Sequence, residues 1–434
     1  MQPPADAGSP PPGAAAPARR CLRAWVAAAG LLALLTFLAN ARPGTLGVWL
    51  RPFDLGTEAN AAAWFSACSL LWSGLLMASA AVALWRADRA AAAAAGFLGL
   101  VAAALFVDEA GSLHERFDLL VPAALGLSLK KVAALGAVPV AAALGALFTR
   151  RRTLGPAWAQ LAGAYLLFGS VFAQELLEHA VAWPPALLPL RMLVEEGSEL
   201  CGFFLLLLAA TGLRERTLAR PGGARTAGRW EAVLPARAVL VCASVAAAAL
   251  APALIALSLS IPFPVLSLAN RGNFASTMPV ALFLLAGAVC LRRAVAGAGG
   301  AGGSGGAGGA GGVGRGWAWV GLGCVGLSLL QNWHAYDDAS VLLLGRPAAH
   351  PWRACYDVAW SLPLFMALLF AFRRRLRRVG WVLPFLGLGW AACVVAAWRA
   401  SFPLSYAASW WSAAATAAWA VAATRGPAGS TRTP

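Results

Sequence analysis

Residues 61–111 read AAAWFSACSLLWSGLLMASAAVALWRADRAAAAAAGFLGLVAAALFVDEAG. Two apolar runs of about 20 residues lie on either side of Arg86-Ala87-Asp88-Arg89. Each is long enough to cross a ~30 Å hydrocarbon core at ~1.5 Å per residue. In lipid a backbone must satisfy its own hydrogen bonds, so the two runs predict a helical hairpin with a charged turn. The second run closes on Asp108 and Glu109. The rest of the chain repeats this pattern.

Hydrophobic residues make up 60% of the 434 positions and charged residues only 12%, a composition outside the range of soluble domains. Apolar runs of bilayer length recur at roughly 22–40, 62–85, 91–110, 130–149, 155–174, 189–211, 236–259, 276–295, 317–334, 355–372, 380–398 and 407–424. The expected fold is therefore all-α, a polytopic membrane bundle of about twelve transmembrane helices. With both termini inside, Arg19, Arg20, Arg23, Arg86, Arg89, the Arg150–Arg152 triplet, Arg214–Arg237 and Arg373–Arg378 all fall on one side. That is the pattern of the positive-inside rule. The inner side then holds 24 basic and 4 acidic residues, the outer side 10 and 14; +20 and −4 recover the net charge of +16. The basic balance thus follows from topology, and no nucleic-acid partner is expected. Inner loops are expected to touch anionic lipid.

Residues 1–18 are Pro/Ala-rich and read as a disordered cytoplasmic tail. Membrane helices one to eight occupy 19–296, a Gly-rich cytoplasmic linker 297–316, helices nine to twelve 317–425, and a short tail 426–434. The first helix ends at Ala39-Asn40-Ala41, a run that resembles a signal cleavage site, but its length favours a retained helix. The Gly-rich run lacks a preceding strand and a GK[ST] ending, so it is not read as a phosphate loop. The eight cysteines form no CxxC and lie mostly within apolar runs, where small buried thiols are expected.

Eleven of the 18 acids and three of the four histidines concentrate in VDEAGSLHERFD (107–118), QELLEHA (174–180), EEGSE (195–199) and HAYDD (334–338). Ionised groups facing hydrocarbon cost at least ~2.5–3.5 kcal/mol each, so such clusters mark sites by default. All four lie on the outer side of the expected topology. Positions i, i+3 and i+4 share a helix face, so each segment aims two or three ligand atoms in one direction. Carboxylates this close either share protons or are compensated by cations. The expected catalytic acids are Glu109, Glu115 and Glu196, and the expected metal ligands are His114, Glu175, Glu178, His179, Glu195, Glu199, His334 and Asp338. An oxygen-rich set with a few imidazoles suits a divalent metal, Zn, Fe, Mn or Ca. Arg116, Lys130, Lys131 and Arg191 lie on the same side, and structural ion pairs with these acids are the alternative.

The stretches FDLGTEANAAAWFSACSLLW (53–72), VDEAGSLHERF (107–117) and LVEEGSELCGF (193–203) resemble a group of uncharacterised bacterial multi-pass membrane proteins. The likeness covers roughly 50–210, and it implies residence in a bacterial inner membrane without implying an activity. The EExxxR motif of CAAX-type proteases is not met, since Leu200 stands where the arginine belongs. The sequence thus points to a metal-dependent enzyme of the outer face acting on a lipid or lipid-linked substrate. The alternatives are a cation- or proton-coupled transporter and a non-catalytic membrane scaffold. The membrane lipid bilayer is the expected surroundings in each case.

Overall fold

The computed structural model describes residues 15–41, 50, 53, 60–111, 129–178, 184, 187–219, 274–299 and 310–332. The described elements are all helical: α1 (Ala15–Ala41), α2 (Ala61–Leu84), α3 (Arg89–Gly111), α4 (Leu129–Phe148), the single turn α5 (Arg151–Leu154), α6 (Pro156–Glu178), α7 (Leu188–Leu218), α8 (Phe274–Gly299) and α9 (Ala310–Asn332). Eight of the twelve expected segments are among them. The segments expected at 236–259, 355–372, 380–398 and 407–424 lie outside the described residues. Among the described residues, two helices, Ala61–Leu84 and Arg89–Ala110, are long and apolar enough to cross a membrane. Shorter apolar stretches lie at Arg23–Leu38, Leu135–Phe148 and Trp317–Leu329.

Three antiparallel hairpins form the framework, and each closes where small residues let two helices touch. In α2–α3, a Cβ on Gly74 would stand 3.0 Å from the Gly99 carbonyl oxygen. In α8–α9, the Gly287 and Gly321 backbones approach equally closely, a Cβ on either lying 3.0 Å from the other's carbonyl oxygen. In α6–α7, the Phe168 ring occupies the space that a side chain at Gly202 would need. These contacts seat a continuous core running through Leu70, Met77, Leu98, Leu161, Leu206 and Leu213.

Two tryptophans packed on this core pair with serines, which spares their indole N–H groups the cost of burial without a partner. Trp25 of α1 stacks on Phe204 of α7 at 4.8 Å and lies 5.1 Å from Phe65 of α2. Its indole N–H donates to Ser69 Oγ at 2.8 Å. The Trp64 indole N–H donates to Ser328 Oγ at 3.1 Å, and Ser328 donates to the Val280 carbonyl at 3.0 Å. That chain of bonds fastens the α8–α9 hairpin to α2.

Helix ends extend beyond the apolar runs. Helix α7 continues to Leu218, seven residues past the expected end at 211, through the good helix formers of LRERTL. Helices α8 and α9 also enter the Gly-rich run from both sides, reaching Gly299 and starting at Ala310. Residues 300–309 between them are outside the described set.

Candidate functional site

The hairpin alternation sorts charge between two ends of the bundle. One end carries the α2–α3 turn, the α4–α6 turn and the end of α7, and it is rich in arginine. The other carries Asn60, which caps α2 by accepting from the Ala63 amide at 2.9 Å, together with the ends of α3 and α6 and the start of α7.

The two ends handle charge differently. At the arginine end, Asp88 accepts from the Ala91 amide at 3.0 Å, capping α3. Its other oxygen accepts from Arg150 Nε in an ion pair. Arg150 also donates to the Ala146 carbonyl at 3.0 Å and to Thr149 Oγ1 at 2.7 Å, which closes the last turn of α4. Partial desolvation pushes the Asp88 carboxyl up. The Ala91 amide and the Arg150 guanidinium outweigh it, and the net result lies below the ordinary carboxylate value. Nearby, Arg151 lies 4.3 Å over the Phe148 ring. Gly155, at φ 55°, begins the turn into α6, and a side chain there would strike the Arg216 guanidinium.

At the carboxylate end, register decides which acids can meet. Tyr165 Oη donates to the Leu98 carbonyl at 3.4 Å, linking α6 to α3. Both helices run toward the carboxylate end. Eleven residues on from Leu98 comes Glu109, and eleven on from Tyr165 comes position 176, next to Glu175. Across the α6–α7 hairpin, Phe168 packs on Gly202 and lies 5.4 Å from the Phe203 ring. Seven residues outward from that contact stand Glu175 on α6 and Glu195 on α7. Asp108, Glu109, Glu175, Glu195 and Glu196 therefore occupy one level of the bundle, within about a helical turn at ~1.5 Å per residue. Glu199 sits one turn deeper.

Asp108, Glu109, Glu195, Glu196 and Glu199 are half-buried, and each is engaged by a hydrogen-bonding or electrostatic partner. For Glu195 one partner is Arg191, whose Nη1 lies 3.7 Å from the carboxylate. Arg191, Glu195 and Glu199 form a single i, i+4, i+8 row. Glu175 and Glu178 lie on the described backbone of α6, with side chains outside the described set. His114, Glu115, His179, His334 and Asp338 lie outside the described residues altogether. Among the described residues, no group of three or more His, Cys, Asp or Glu side chains is close enough to hold a metal ion. The described part of the layer is therefore all oxygen, and the expected imidazoles belong to the undescribed part.

The free thiols divide as burial suggests. Cys290 and Cys324 are buried in the α8–α9 hairpin, and Cys201 is exposed on α7.

A family comparison covers this same region. Residues 23–214 match the model of a domain of unknown function, DUF8692. No curated protein and no solved structure matches the chain. The stretch similar to DUF8692 takes in most of α1, all of α2–α6 and nearly all of α7, and so every described acid of the carboxylate layer. The α8–α9 hairpin, held to α2 through Trp64 and Ser328, lies beyond it.

Sequence reading missed two features. Asp88 precedes an alanine run, the signal that an N-cap leaves in a sequence, but its Arg150 partner stands 62 residues away. Trp64 carries no partner signal in the sequence, and its N–H is bonded within the bundle to Ser328, 264 residues away.

Proposed function

We propose that the chain is a bacterial inner-membrane protein of about twelve helices whose carboxylate end faces outward. In this reading the layer built on Glu109, Glu175, Glu195, Glu196 and Glu199, completed by His114, Glu115, Glu178, His179, His334 and Asp338, binds a divalent metal and acts on a lipid or lipid-linked substrate. The observation that carries it is the register. Acids from three separated segments fall at one level of α3, α6 and α7, and all those with described side chains are half-buried. Half-buried like charges are costly unless a cation or a shared proton compensates them. A bound metal would polarise a substrate oxygen or activate water. One glutamate, with Glu109, Glu115 and Glu196 as the candidates, would serve as general acid or base.

One observation favours the scaffold reading at one position. The Arg191–Glu195 pair accounts for Glu195 without a ligand.

The test is the metal content of detergent-purified protein by elemental mass spectrometry, wild type beside Glu196→Gln and His179→Ala. The expected result is a stoichiometric metal in wild type that is lost in both variants. Well-folded wild type without metal would overturn the metal-site reading.

A further inference from the structure

We propose that the turn between α4 and α6, together with the end of α7, binds the phosphate of an anionic membrane lipid through Arg151 and Arg216. The inference rests on the membrane reading above and goes beyond it. The site lies at the arginine end, away from the carboxylate layer.

Four elements build it. The Arg151 guanidinium lies 4.3 Å over the Phe148 ring at the end of α4. Trp158 of α6 packs on the same ring, with centroids 4.9 Å apart. The Gly155 amide donates to the Arg151 carbonyl at 2.8 Å and closes the single turn α5. Gly155 takes φ 55°, which glycine adopts without steric cost. Its bare Cα leaves the space that the Arg216 guanidinium occupies. Packing of α7 on α6 delivers Arg216 there: one turn earlier, a Cβ on Gly212 would stand 3.8 Å from the Ala157 Cβ. Two arginines from distant segments are thus seated around one glycine.

Charge shows what the chain does not supply. Arg150, the neighbour of Arg151, is paired with Asp88. Among the described residues no carboxylate pairs with Arg151 or Arg216, and both are exposed. Glu215 is exposed beside Arg216, but successive residues on a helix do not face each other. The rest of the chain cannot make up the deficit. In the expected topology the inner side holds 24 basic residues against 4 acids, Asp6, Asp88, Glu215 and Glu231. Most of the counter-charge therefore comes from outside the chain.

The chemistry of the site selects its source. A guanidinium stays charged and matches phosphate oxygens in pairs. The Phe148–Trp158 pair beside it suits a membrane interface, where aromatic side chains meet acyl chains below and head groups above. Anionic lipid in the inner leaflet brings phosphate to that depth.

The experiment is native mass spectrometry of the full chain in detergent micelles, titrated with phosphatidylglycerol or with phosphatidylcholine of the same acyl chains. Wild type is expected to hold its first phosphatidylglycerol about tenfold more tightly than phosphatidylcholine, the scale of a charge-assisted hydrogen bond. Arg216→Gln should abolish that preference. Gly155→Ala should abolish it too while keeping every charge, because its Cβ takes the place of the guanidinium. Should Gly155→Ala fail to fold, Arg151→Gln carries the same expectation. Arg292→Gln removes an exposed arginine from α8 and should leave the preference unchanged. Equal losses from Arg216→Gln and Arg292→Gln would overturn the site, since binding would then follow surface charge alone. Inorganic phosphate binding as tightly as phosphatidylglycerol would overturn the lipid as its ligand. Protein that stays soluble without detergent would instead refute the membrane reading, so the two fail separately.

Discussion

The two ends of this bundle carry opposite charge and treat it in opposite ways. At the arginine end, three described arginines have separate settings: Arg150 with Asp88, Arg151 over the Phe148 ring, Arg216 in the space over Gly155. At the carboxylate end, acids of three helices share one level; those of α3 and α7 are half-buried and each is engaged by a partner, Glu195 by Arg191. The first arrangement serves hairpin closure and is what orientation in a membrane would require. The second gathers acids from separated segments at one level, and that makes it the candidate site.

The comparison depends on the hairpin register, so breaking a hairpin should have the largest effect. Gly99→Val places a side chain against the Gly74 carbonyl and Met77. We expect a loss of about 3 kcal/mol or more, as overpacking against backbone costs, read as a collapse in yield and thermal midpoint.

The arginine end comes next. Asp88→Ala removes an N-cap and an ion pair together and should cost about 2 kcal/mol. Asp88→Asn keeps the cap and should cost less. Because the Asp88 pKa is lowered on folding, its contribution is present above the ordinary carboxylate range and lost as pH falls through the lowered folded value. The difference in thermal midpoint between wild type and Asp88→Asn should therefore shrink at low pH. At the α2–α9 junction, Trp64→Phe should cost about 1 kcal/mol by leaving Ser328 one hydrogen bond short, with the unfolding midpoint as readout.

The smallest effects should come from the carboxylate end. Glu195→Gln breaks the pair with Arg191 and should lose ~0.5–1 kcal/mol. A larger loss would place Glu195 among the structural residues alone.

Much of this was legible in the sequence because bilayer-length apolar runs and arginine-rich turns are both local signals. The segment read at 62–85 is the helix Ala61–Leu84, and that at 91–110 is Arg89–Gly111. Ends were less legible where a helix outlasts its apolar stretch. LRERTL carries α7 on to Leu218 although charged side chains end the hydrophobic run. Alternation of short turns also brought the ends of α3 and α6 and the start of α7 to one side. It could not give their relative depth. That came from Tyr165 on Leu98 and Phe168 on Gly202, contacts between residues far apart in the chain. The Asp88–Arg150 clamp was hidden for the same reason.

The central claim is that the acids of the carboxylate layer are held together for binding and do not serve primarily as structural ion pairs. The most direct measurement is the thermal midpoint of chelator-treated protein, wild type against the double variant Glu196→Gln, Glu199→Gln. A binding site that pays for function with stability predicts an unchanged or higher midpoint, because relief of like-charge repulsion offsets the contacts that the two glutamates lose. A midpoint that falls by several degrees would mean the two glutamates hold the bundle together, and it would contradict the account.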